Sequence, residues 1–301
     1  MTVLKTIRTW GEMIRFSHSL FALPFALMAT FLAGRDRDGG LPAMGQLGLV
    51  VLCMVAARSF AMTFNRIVDA GIDAQNPRTA TRPLLTGRIT RKQAWTFLIG
   101  AAVLFVAGCA GFQVWYGNAW PLYLALPTLV LVAMYSYAKR FTTLTHFMLG
   151  GAIGVSPMAA WLAVYPGSFG VPALLLAVTV LTWIGGFDII YACQDVEVDR
   201  RDGLFSIPAR LGIGPALWIS RGCHLVTVAA LAGLGLLAGL GWLYWAAGGA
   251  TVVLLAAEHA VVRPNDLSRV NLAFFTINGC VSLLLGAATI ADVVLRRASG
   301  T

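Results

Sequence analysis

Charge is scarce in this chain. Only 12% of its 301 residues are Asp, Glu, Lys or Arg, where a soluble protein averages about 25%. So few charges cannot furnish a water-facing surface for a protein of this size, which sets aside a soluble globular fold. Cysteine is sparse as well. Cys53, Cys109, Cys193, Cys223 and Cys280 are scattered, with no CxxC pair and no Cys/His cluster at metal-ligand spacing. Cysteine-held metal sites and a disulfide scaffold are therefore not expected, and the five read as small hydrophobes. No linker or compositional break suggests a second domain. The N-terminus lacks a convincing small-residue cleavage site, so the apolar run from Phe16 to Ala33 reads as a retained first helix.

What is present is hydrophobic sequence, 58% of the chain. It falls into nine candidate spans: Phe16 to Ala33, Leu47 to Phe64, Ala94 to Phe112, Pro121 to Ala138, Phe147 to Val164, Pro172 to Tyr191, Leu217 to Leu237, Trp242 to Val262 and Leu272 to Ala291. Spans in lipid must satisfy their own backbone hydrogen bonds, so helices are the default. The expectation is an all-α polytopic membrane protein of nine transmembrane helices in a single bundle. The net charge of +9 fits this picture without a nucleic-acid partner. With the N-terminus inside, 17 of the 22 Lys and Arg residues fall on the cytoplasmic side, as the positive-inside rule requires. The Arg296–Arg297 tail is the mild violation.

The few acids are concentrated. Seven of the thirteen lie in two stretches, NRIVDAGIDAQNPRTATRPL and FDIIYACQDVEVDRRDGLFSIPARLG. Asn65, Asp69 and Asp73 recur at four-residue spacing. Tyr191, Asp195 and Asp199 repeat that spacing at an offset of 126 residues, with Asp188 one turn earlier. On a continuous helix, each set forms a one-sided ladder of about 12 Å. The echo suggests two four-helix pseudo-repeats plus a final helix, spanning 1–301 as a single domain.

Carboxylates at the edge of an apolar bundle are costly and mark function. Two such ladders suggest a divalent metal site, and magnesium commonly uses one or two carboxylates plus substrate phosphates. Nearby basic residues suggest a diphosphate substrate, with Arg78, Arg82, Lys139 and Arg140 as clamps; for Arg78 and Arg82 the alternative is topology signal alone. Arg58 lies within a span, seven residues before Asn65. It suits a substrate carboxylate held in bidentate fashion, or an internal ion pair with a motif aspartate. Glu197, Arg200, Arg201 and Asp202 read equally as a solvated loop face. His18 and His146 read as satisfied polar helix contacts, with lining of the cavity as the alternative, and His224 and His259 read as structural.

These residues resemble the UbiA superfamily of intramembrane prenyltransferases over nearly the whole chain. The resemblance rests on Arg58 through the RTATRPL segment, on YSYAKRFT from Tyr135 to Thr142, and on the second acidic stretch. It implies a central cavity, cytoplasmic cap loops, a lipid-open groove for a prenyl tail, and an integral protein of the bacterial inner membrane with its site facing the cytoplasm. It implies Mg2+ held by Asn65, Asp69, Asp73, Asp195 and Asp199. Polyprenyl diphosphate and a small aromatic acid are the implied substrates, with Arg58, Asn65, Arg78, Arg82, Lys139, Arg140 and Tyr191 as binding residues. Asp188 is one candidate for the ring proton, beside another carboxylate, water or the diphosphate. The second motif resembles the 4-hydroxybenzoate polyprenyltransferases of respiratory quinone synthesis. The opening RFSHSLFALPFALMAT instead resembles the menaquinone branch acting on 1,4-dihydroxy-6-naphthoate. Haem or chlorophyll tail prenylation and a transporter are the remaining alternatives. The last fits poorly, because both motifs fall at helix ends on one side.

Overall fold

The computed structural model describes residues 3–14, 19–37 and 40–299. Phe16, Ser17 and His18 lie outside them. Among the described residues the regular elements are all helical, joined by turns and loops, with one isolated bridge between Arg263 and Asp266. The order is α1 (Val3–Ile14), α2 (Ser19–Arg35), α3 (Met44–Val68), α4 (Ala70–Gln75), α5 (Arg91–Tyr116), α6 (Trp120–Met134), α7 (Thr145–Val164), α8 (Val171–Ala192), α9 (Val196–Arg201), α10 (Ile207–Leu211), α11 (Ile213–Leu237), α12 (Trp242–Val261) and α13 (Asn278–Ser299). Tight 3-10 turns cover Tyr135–Arg140, Pro166–Ser168 and Cys193–Asp195, and a π turn covers Leu272–Ile277.

Seven of these helical stretches are long and apolar enough to cross a membrane by length and composition. Helices occupy all nine expected places, and among the described residues seven of them meet that length and composition. The described apolar part of α2, Phe21–Arg35, is short. In α12 the glycines, tryptophans, Glu258 and His259 dilute the apolar run. Helix α1 is a short element the span count did not contain.

The chain divides into two compact units, Met1–Ser19 with Val51–Tyr137, and Leu20–Val50 with Ala138–Thr301. In the first, α5 opens on a capping box. The Thr90 hydroxyl accepts from Gln93 N, and Gln93 Oε1 accepts from Thr90 N at 2.9 Å. It closes on Gly117, whose φ of 66° is left-handed and favours glycine. Exposed Trp115, Trp120 and Tyr123 flank that turn, as expected of aromatics at a membrane interface. Helix α1 lies against the other end of α5. Trp10 stacks on Phe97 at 4.4 Å, Met13 joins Ile89 and Ala94, and Glu12 pairs with Arg88 at 2.6 Å. The hydrogen bond from Arg88 holds the Glu12 carboxyl below its ordinary range.

In the second unit α8 is the axis, and α7 and α11 both pack along it. Small residues allow the approach: a Cβ on Gly150 would overlap the carbonyl oxygen of Leu181, as close helix packing in lipid requires. Buried polar side chains tie the remaining helices together. Trp183 Nε1 donates to Asn278 Oδ1 at 2.7 Å, and Asn278 Nδ2 donates to Glu258 Oε1 at 2.8 Å. His224 and His259 share a bond of 2.9 Å. These two histidines are interior contacts, as expected.

Gly150→Ala should lower stability in detergent by about 1–3 kcal/mol through overpacking. Gly100→Ala on α5, where a Cβ meets nothing within 4 Å, should change it by less than about 0.5 kcal/mol. Thermal unfolding of the two purified variants checks this, and equal melting temperatures would refute it.

Candidate active site

The first acidic stretch lies in the first unit. Helix α3 stops at Val68, and Asp69 sits at the junction with α4 at φ −88°, ψ 6°. The continuous ladder expected from the spacing is therefore broken at its middle residue. The four-residue rhythm survives nonetheless, because Asp69 N donates to Asn65 O and Asp73 N to Asp69 O, both at 2.8 Å. Buried Arg66 donates to Asn65 Oδ1 at 3.1 Å, and Asn65 Nδ2 donates to Asp69 Oδ2 at 2.7 Å. Sequence reasoning had counted Arg66 only as topology signal. The chain Arg66–Asn65–Asp69 fixes the first carboxylate from behind.

Asp73 is buried and ion-paired with Arg82. Its carbonyl accepts from Thr79 Oγ1 at 2.8 Å. The loop 76–90 is thereby folded back onto the acid it follows. Arg78 is exposed on that loop, with its backbone N–H on Asn76 Oδ1 at 2.9 Å. Arg58 is half-buried on α3, about two turns from Asn65 on the same face.

The second stretch, in the second unit, repeats the break. Helix α8 ends at Ala192, the turn Cys193–Asp195 follows, and Asp195 adopts φ −105°, ψ 8° before α9. The first aspartates of both motifs thus share one sparsely populated backbone region, in which many active-site residues sit. Asp195 and Asp199 are buried. One oxygen of Asp199, Oδ2, is buried with no hydrogen-bond partner among the described residues. The chain then hooks back: Leu204 N donates to Asp199 O at 2.8 Å, and Phe205 N to Lys139 O at 2.7 Å. This second bond joins the Lys139–Arg140 turn to the loop after the second motif.

Asp188 on α8 meets His146 of α7, Oδ2 to Nδ1, at 2.7 Å. Tyr191 stacks against Phe274 of the π turn with centroids 4.2 Å apart. The pairing of His146 with Asp188 was not readable from a separation of 42 residues. Arg200 donates to Ala209 O at 2.8 Å, and Arg201 donates to Asp202 at 2.8 Å, which holds the Asp202 carboxyl below its ordinary range.

Among the described residues, no three His, Cys, Asp or Glu side chains stand close enough to hold an ion by themselves. The donor set is nonetheless entirely hard oxygen, which magnesium takes, completing its shell with water and substrate phosphates. The unpartnered Asp199 oxygen fits the same reading, since a buried carboxylate oxygen needs a donor or a cation.

Comparison with known proteins bears on the family and the fold. Residues 22–279 match the UbiA prenyltransferase family. A 4-hydroxybenzoate octaprenyltransferase of Xanthomonas campestris is 32% identical over 260 residues, covering 86% of this chain and 83% of that protein. The Cupriavidus necator protein of the same name is 29% identical over 272 residues, covering 90% and 93%. The structure of a UbiA homologue from Aeropyrum pernix superposes with a TM-score of 0.81 at 30% identity, covering 91% of this chain and 98% of that one. A UbiA homologue from Archaeoglobus fulgidus bound to GPP and Mg2+ shares the fold, with a TM-score of 0.72 at 19% identity over 95% and 99%. With a family match that runs from α2 into α13, the chain belongs to the UbiA prenyltransferases.

Proposed function

We propose that this protein is a magnesium-dependent polyprenyltransferase that moves the prenyl group of a polyprenyl diphosphate onto 4-hydroxybenzoate, in respiratory quinone synthesis. The buried, unpartnered Asp199 oxygen in an all-oxygen donor set carries the metal part of this reading. The named relatives support the acceptor. The A. fulgidus homologues bound to GPP or DMAPP with Mg2+ support the donor class. A second acceptor, 1,4-dihydroxy-6-naphthoate, is favoured by the opening segment around Phe16–His18.

Asn65, Asp69, Asp73, Asp195 and Asp199 are the residues that would hold magnesium. Bound there, it supplies Lewis-acid neutralisation of the departing diphosphate. Arg78, Arg82, Lys139 and Arg140 bind diphosphate oxygens and share that neutralisation. Arg82 lies on Asp73, so the clamp stands beside one of the carboxylates that would hold the metal. Arg58 orients the carboxylate of the aromatic acid. The allylic C1–O bond breaks, and the ring carbon ortho to the phenolic hydroxyl bonds to C1. The ring proton then leaves to a base, a role this reading gives to Asp188. Tyr191 lines the binding region with its ring against Phe274. The cap loops exclude water from the cation-like carbon. The chain works as one transmembrane domain in the bacterial inner membrane, with the N-terminus and the site on the cytoplasmic side and the prenyl tail among lipid-facing helices.

Asp69→Ala and Asp195→Ala should each cut turnover by about 10²–10³-fold while the protein still folds and inserts. Chelation of the wild type should do the same, with magnesium restoring activity. Mass-spectrometric detection of prenylated acid reads all three, and full activity in either variant would contradict the ligand assignment. Arg58→Ala should raise KM for the aromatic acid by about 10–100-fold, the worth of a bond to a charged group, and leave KM for the prenyl diphosphate near the wild-type value. Equal losses for both substrates would instead place Arg58 in an internal ion pair.

A further inference from the structure

One imidazole in the second unit joins three segments. His146 lies in the first turn of α7 and is fully buried. Its Nδ1 is 2.7 Å from Asp188 Oδ2 on α8. Its Nε2 accepts the backbone N–H of Ile207, the first residue of α10, at 3.3 Å. A peptide N–H can only donate, so Nε2 presents its lone pair and the proton sits on Nδ1. The Nδ1–H therefore donates to the carboxylate. The ring is fixed at both ends, and α10 is itself pinned by the Ser206 cap and by Arg200 on Ala209 O.

The effect falls on Asp188. One oxygen is taken by His146, and the other accepts no hydrogen bond among the described residues. The side chain keeps 21% of its surface open, and its second oxygen is not among the buried unpartnered atoms of the described residues. A carboxylate held by one oxygen and open at the other has a single direction in which to take a proton.

We infer that His146 is a positioning residue that fixes Asp188 as the base for the ring proton, an inference that rests on the aromatic prenyl transfer described above. After the ring carbon bonds to allylic C1, that carbon carries both the prenyl group and its original hydrogen. The positive charge is spread over the ring and the phenolic oxygen. The free oxygen of Asp188 takes the proton, the C–H electron pair restores the aromatic ring, and Asp188 later passes the proton to water. His146 keeps its own proton throughout. Its part resembles that of a residue which orients a catalytic partner without transferring a proton itself.

The test compares His146→Gln with His146→Asn. In Gln the side-chain oxygen replaces Nε2 and keeps the bond from Ile207 N–H, but the donor to Asp188 is lost. In Asn the side-chain N–H replaces Nδ1–H and keeps Asp188 in place, but Ile207 N–H loses its acceptor. Each variant keeps one bond and loses the other, so a purely structural role would depress both alike. The purified proteins are assayed with magnesium, a long prenyl diphosphate, and 4-hydroxybenzoate with hydrogen or deuterium ortho to the hydroxyl. His146→Gln should lose about 10²-fold in kcat, the cost of a misplaced group. Its KM for prenyl diphosphate should be unchanged, and it should show a primary isotope effect that the wild type lacks, because proton loss has become slow. His146→Asn should recover most of the rate and show no such effect. Wild-type kinetics in His146→Gln, or equal losses in both variants without an isotope effect, would overturn the assignment while leaving the reaction itself intact. No turnover by the wild type with any hydroxylated aromatic acid would overturn the reading of the reaction, and this assignment with it.

Discussion

The cost of placing a carboxylate among apolar helices governs the rest of this structure. A charge taken from water is destabilising unless hydrogen bonds or a counter-charge replace its hydration. The chain meets that cost residue by residue. Asp73 pairs with Arg82, and Asp69 is held by Asn65 with Arg66 behind it. Asp188 is held by His146, Glu258 by Asn278, and Asp292 by the Gly241 N–H. Among the described residues two carboxylates keep one oxygen buried and without a hydrogen-bond partner, Glu258 through Oε2 and Asp199 through Oδ2, and only Asp199 belongs to an acidic motif. A hard cation would offset that desolvation. The same physics that makes acids rare in this sequence makes their placement informative.

Two local devices serve these acids. At Asp69 and Asp195 the helix is interrupted at equivalent motif positions, and the chain continues in a short helix. The backbone bonds across the first break keep the four-residue rhythm, so the polar face persists while the chain turns. The loops that follow then fold back through specific bonds, Thr79 onto Asp73 O in one unit and Phe205 N onto Lys139 O in the other. The basic residues are thus tied to the acids by structure as well as by sequence proximity.

Much of this was legible in the sequence, for physical reasons. Long apolar runs can satisfy their backbones in lipid only as helices, so seven spans are recovered, five of them within four residues of their expected limits. Acids in so apolar a chain stand out, so every candidate ligand was visible. The helix breaks were not, because the residues around Asp69 and Asp195 are compatible with an unbroken helix and only tertiary context bends them. Helix α1 was hidden by its polar residues, and its docking on Ile89 and Phe97 is a long-range contact. Arg66 was read as part of a charge tally because its hydrogen bond to Asn65 depends on side-chain direction. His146 was read as a helix contact, since no spacing rule links it to Asp188 across α7 and α8.

The central claim is that these acids and bases act on a diphosphate in the presence of an aromatic acceptor. Its most direct test is diphosphate release by the purified protein in detergent, with magnesium and a long prenyl diphosphate. 4-Hydroxybenzoate, 1,4-dihydroxy-6-naphthoate, or no acceptor would be supplied in parallel. The account predicts release that requires both magnesium and one of the two acids. Release at the same rate without any acceptor, or none with either acid from folded protein, would contradict it.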